Sequence, residues 1–155
     1  MRWAAELSLL LCVLGALGCK TVELGLSPRF LVVDRTPESL DAMSSDDARV
    51  RVRDFTAPGG DLEFWVDALR RNLVDGRGYV LLEEGKVVAS GVGGHAMTLE
   101  VSVGGRAVRY RVAVFVKVQK KDESAIRVVE YVADKAGFER HLPDVNGAIA
   151  TMRPF

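Results

Sequence analysis

The sequence is poor in the residues that carry chemistry by themselves. Its two cysteines, Cys12 and Cys19, both fall near the start, so residues 20–155 contain no thiol. That stretch can hold no disulfide framework and no cysteine nucleophile, and it must rest on an apolar core. The two histidines, His95 and His141, lie far apart without ligand-spaced partners. Zinc takes three or four ligands, so no metal is expected, and nothing points to a cofactor. Neither sign of charge dominates: 21 Lys and Arg balance 21 Asp and Glu. No basic excess invites nucleic acid. The apolar run Leu7 to Leu17 falls short of the roughly 20 residues that span a bilayer as a helix.

That run does have a recognisable setting. Arg2 precedes it, and Ala16-Leu17-Gly18-Cys19 follows at its end. A charged start, an apolar middle and small residues at the end are the marks of an export signal. The last four residues resemble the lipobox of bacterial lipoproteins. In that family the cysteine becomes the first mature residue and carries the lipid. Ala16 and Glu6 depart from the usual pattern. The resemblance implies a signal peptide over residues 1–18, and a lipidated Cys19 with a tether over 19–29. A single domain over 30–155 follows. The partner of Cys19 would be the lipid bilayer. Lys20, where an Asp would favour inner-membrane retention, implies the outer membrane with the domain in the periplasm.

Within the domain the clearest stretch is Met97 to Val118. Two alternating apolar runs flank Gly104-Gly105, a pair suited to a type I′ turn with positive φ at both positions. The turn fixes the register: Val103 faces Arg106, Val101 faces Val108, Leu99 faces Tyr110, and Met97 faces Val112. On the other face Glu100 meets Arg109 and Thr98 meets Arg111. A slip of one residue would mix the faces. Arg109, Arg111 and Lys117 share the charged face, with Arg51 and Arg53 as candidate neighbours. They form a candidate partner-binding surface. Ala113 and Phe115 lie on the same face, which calls for a covering helix.

Elsewhere, Phe30 to Val33 reads as a strand. Thr36-Pro37-Glu38 carries helix-start grammar for a turn or two. Arg49 to Arg53 alternates charged and apolar, as a half-exposed edge strand would. Asp61 caps a helix reaching about Val74, with Leu62, Trp65, Val66, Leu69 and Leu73 on one stripe and Gly76 as its C-cap. Trp65 is expected in the core. Gly78 to Leu82 and Val87 to Ala89 read as strands joined by a hairpin loop at Glu83 to Lys86. Ile126 to Val132 is the last strand. A C-terminal helix closes the chain, with Pro143 as an interruption.

The order is strands, a long amphipathic helix, a run of antiparallel strands and a closing helix. Tyr110 to Phe115, Ile126 to Glu130, Phe138 and Asn146 to Ala150 carry further detail. Together they resemble the PsbP/DcrB-like fold over about Arg49 to Arg153. The resemblance implies an α+β domain with an antiparallel sheet between two helices, and a role in binding or assembly without catalytic residues. Cystatin-like folds share the outline.

No stretch of the sequence carries a catalytic motif. Gly91 to Gly94 precedes a strand, whereas phosphate loops precede a helix. Ser90 lacks the nucleophile-elbow surround. Asp46-Asp47 and Glu83-Glu84 are adjacent pairs, whose side chains diverge on a strand. His141 is expected at the surface. The expectation is a non-catalytic envelope lipoprotein that binds an envelope protein. The alternatives are a subunit of an envelope machine, such as a secretion or gliding-motility apparatus, and a small enzyme with an unrecognised site.

Overall fold

A computed structural model describes residues 21–120 and 122–155. The signal segment and Cys19 lie outside them. Seven strands form one antiparallel sheet in the order β1-β2-β3-β7-β6-β5-β4. They are β1 (Phe30–Arg35), β2 (Ser39–Ser44), β3 (Arg49–Ala57), β4 (Val80–Ala89), β5 (Val92–Val103), β6 (Arg106–Lys120) and β7 (Glu123–Asp134). Helix α1 (Leu62–Arg70) runs on into a π-helical turn, Arg71–Gly76, and α2 (Lys135–Thr151) closes the chain.

The β5–β6 hairpin has the register read from its turn, pair for pair, and Gly104 and Gly105 have φ of 57° and 77°. Glu100 and Arg109 form an ion pair at 3.3 Å. Period-two alternation then gives the sheet two separate cores. Met97, Leu99, Val112, Val114 and Ile126 face α1, with Val66 and Leu73 above them. Ala96, Ala113, Phe115, Val129 and Tyr131 face α2, which supplies Phe138, Val145 and Ile149. Tyr131 and Phe138 stack with centroids 4.8 Å apart. The α+β sandwich is therefore the fold found, with one helix per face.

Asp61 caps α1 as its position suggests, accepting from the Phe64 N–H at 2.9 Å. Trp65 is half-buried at the rim of the α1-side core, and its Nε1–H donates to the Gly59 carbonyl at 3.3 Å.

Several local expectations are corrected. Thr36-Pro37-Glu38 starts no helix. The Thr36 hydroxyl accepts from the Glu38 N–H at 3.2 Å and the Thr36 N–H donates to the Ser39 carbonyl at 2.9 Å, closing a hairpin turn into β2. Strand β3 is not an edge, because it lies between β2 and β7. Glu83 to Lys86 is not a loop: β4 runs straight through it with a bulge beside Leu82. The reversal comes at Ser90-Gly91, with φ of 45° and 83°. Helix α2 continues past Pro143, which sits on its exposed side along with Glu139, so the carbonyl left without a partner faces water. The left-handed glycine after the first helix is Gly78, φ 72°, rather than Gly76.

His141 is buried, not exposed. Its Nε2–H donates to both oxygens of Asp46, at 2.9 and 3.1 Å, and its ring meets Phe30 edge-on at 5.2 Å. Ser44 and Arg140 bond the same carboxylate. The cluster pins the β2–β3 turn to α2. Val22 and Leu24, expected in a tether, are buried in the α2-side core.

Two predictions follow from this packing. A Cβ at Gly94 would lie 2.5 Å from the Phe115 ring and 2.6 Å from the Val114 carbonyl oxygen. Gly94→Ala should cost about 1–3 kcal/mol, read as a lower denaturant midpoint. An unchanged midpoint would show that β5 and β6 are less closely packed there. The second concerns acid. Bonds from Ser44 and then His141 hold the Asp46 carboxyl at about 2, below its usual 3.8. A depressed folded value means stability that is present above pH 4 and drains away as pH falls through about 2. Wild type should therefore exceed Asp46→Asn in urea midpoint at pH 6, and the gap should narrow as pH drops toward 2. A gap independent of pH would remove the carboxylate from the clamp.

Candidate functional site

Helix α1 covers only one end of its face of the sheet. At the other end a groove of about 630 Å³ lies open. Its floor is the side chains of β3, β7, β6 and β5 that alternate toward α1. One wall is the π-helical turn and the short link after it, with Leu73, Arg77 and Tyr79, and the other is β1 and β2, with Val33 and Met43. Val101, Val103 and Val132 make much of the floor apolar. The groove exists because a nine-residue helix cannot cover strands of twelve to fifteen residues. A helix rises 1.5 Å per residue and a strand about 3.3 Å.

Two polar pairs lie on and beside the floor. The Tyr110 hydroxyl donates to Glu130 Oε1 at 2.6 Å, and Tyr79 meets the Tyr110 ring edge-on at 6.0 Å. Burial, and then the Glu130 charge, push the Tyr110 phenol well above its usual range, so it stays a donor. Arg51 bonds Asp41, which raises the guanidinium further and keeps it charged. No histidine, cysteine, serine or threonine lines the groove among the described residues. Such a site can enclose an apolar body and offer charged groups at its edge. It presents no nucleophile with an adjacent base.

The three cations singled out in the sequence do not form one surface. Arg109 pairs with Glu100, and Arg111 donates from Nη1 to Thr98 Oγ1 at 2.9 Å. Both are half-buried, and burial lowers the Arg111 guanidinium below its ordinary value. Lys117 lies beyond the fully buried Ala113 and Phe115, with its Nζ 6.0 Å above the Phe155 ring. Arg51 and Arg53 are on the opposite face, since Arg51 pairs with Glu130 and Arg53 with Val128 of β7. His95 bonds Glu84 at 3.0 Å, and Arg70 donates to the same oxygen at 2.7 Å. These bonds, Arg70 first, hold the Glu84 carboxyl below its usual range. The cluster ties α1 to β4 and β5. Among the described residues no three His, Cys, Asp or Glu side chains are placed to share a metal ion.

The groove was missed because seven elements supply it from residues far apart in sequence. A usable signal was Arg49-Val-Arg-Val-Arg53: a strand with one charged and one apolar face lies where one side of a sheet stays open.

No family model matches the chain, and no curated protein does. Solved structures share its fold, among them the following three. LpqN of Mycobacterium tuberculosis, described as involved in cell envelope biogenesis, superposes with a TM-score of 0.64 at 10% identity. The match covers 83% of this chain and 79% of that one. The cyanobacterial PsbP of Synechocystis gives 0.56 at 9% identity over 91% and 96%. A Pseudomonas aeruginosa protein of unknown function, described as a putative regulator, gives 0.54 at 17% over 70% and 74%. At these identities the likeness shows the fold alone, an α+β fold shared with the cyanobacterial PsbP.

Proposed function

We propose that this chain is a non-catalytic binding or assembly factor of the bacterial envelope, held on the membrane by acylated Cys19. Its working surface is the groove beside α1. The groove carries the proposal: it is large enough for a small ligand, mostly apolar, and edged by charged side chains. The export-type N-terminus and the lipobox resemblance support an envelope location. So does the fold shared with LpqN, a protein described by its part in envelope biogenesis. No described helix is long and apolar enough to cross a membrane. Two acyl chains at about 0.8 kcal/mol per buried CH₂ suffice for stable anchoring. The bound partner is an envelope component with an apolar body.

Both parts can be tested on protein extracted from membranes. A naphthylamine dye that brightens in apolar surroundings should bind wild type. It should bind Val132→Trp, which fills the groove floor, at least about tenfold more weakly, the effect of losing some 1.4 kcal/mol. Equal binding by both would show that the groove is not the site. Wild type should also incorporate a labelled fatty acid and sediment with membranes, whereas Cys19→Ser should take up none. Unlabelled wild type in the soluble periplasm would end the lipid-anchor assignment.

A further inference from the structure

The segment before β1 is not a free leash. Val22 is fully buried and Leu24 is 8% exposed, in one cluster with Phe138, Val145 and Ile149 of α2. The Leu26 N–H donates to the Leu24 carbonyl at 2.8 Å, and the Phe30 N–H to the Ser27 carbonyl at 3.0 Å. Burying a valine contributes roughly 1.5–3 kcal/mol, so residues 22–24 are held by the domain. Cys19 precedes Val22 by three residues, which span at most about 11 Å. The groove is on the other side of the sheet, beside α1. A helix layer is about 10 Å thick, and the sheet adds to that.

We infer that the domain is seated on the bilayer with its α2 side toward the lipid headgroups and its groove opening away from them. This inference rests on the lipid anchor proposed above. The outward side of α2 mixes Lys135 and Arg140 with Glu139, and its other exposed residues include Asn146 and Ala150. It has neither a basic patch nor an apolar wedge to hold a membrane by itself. The orientation therefore comes from the short connection between Cys19 and Val22. The bilayer covers the α2 side, and the groove stays open to partners from the aqueous side.

The mature chain has no free thiol once Cys19 is acylated, so one added cysteine gives a unique label. Asn146 is exposed on α2, and Asn72 is exposed on the π-helical turn beside the groove. Asn146→Cys and Asn72→Cys would each be spin-labelled and placed by their acyl anchor in phosphatidylethanolamine–phosphatidylglycerol vesicles. The vesicles would carry a few per cent of nickel-chelating lipid. The label at Asn146→Cys should relax several-fold faster than the label at Asn72→Cys. A Gly-Ser linker of about 20 residues inserted after Lys20 reaches some 25 Å and should abolish the difference. Equal relaxation without the linker, or a difference that survives it, would overturn the inference while leaving acylation intact. Failure to incorporate labelled fatty acid would overturn the anchor itself, and the seating with it.

Discussion

Everything in this domain depends on one antiparallel sheet having two apolar faces to bury. Strands β5, β6 and β7 alternate strictly, so each supplies half its side chains to α1 and half to α2. A sheet with a single apolar face could rest on one helix. This one needs cover on both sides, and α1 and α2 divide the task unequally. Helix α2 has seventeen residues and is joined on its side by Val22 and Leu24. Helix α1 has nine and leaves the far end of its face open. The closed side and the groove come from the same inequality.

The polar interactions follow that division. On the closed side, buried polar groups fasten elements together: Asp46 with His141, and Asp54 with Arg127, whose guanidinium also donates to the Arg153 carbonyl at 2.6 Å. Arg127 is almost wholly buried, so removing Asp54 would strand a charge there. On the open side, Arg51 pairs with Asp41 and Tyr110 with Glu130, while apolar surface remains available. A groove with a mostly apolar lining favours shape and apolar contact in choosing what it holds.

Much of this was legible in the sequence, for particular reasons. The β5–β6 register could be read because Gly104-Gly105 allows one turn type and both flanking runs alternate. The cover over Ala113 and Phe115 could be read from the same alternation. Helix grammar misled at Thr36, where the capping chemistry is real but closes a hairpin. The β4–β5 reversal was misplaced because Gly85 looks like a turn, while the true turn places Ser90, a non-glycine, at positive φ. Charge on β3 marks an open face and says nothing of edge position. The Asp46–His141 clamp joins residues 95 apart, and only the folded chain shows it.

The central claim is that the sheet is closed on the α2 side, N-terminal segment included, and open at the groove. Methyl resonances of the chain from Lys20 onward, recorded with a soluble paramagnetic agent, test this most directly. Val103 and Val132 in the groove should relax strongly, and Val22, Val52 and Val145 should hardly respond. A Val22 signal as strongly relaxed as that of Val103 would contradict the account. The N-terminal segment would then hang free of the α2-side core, and the two sides would not differ as described.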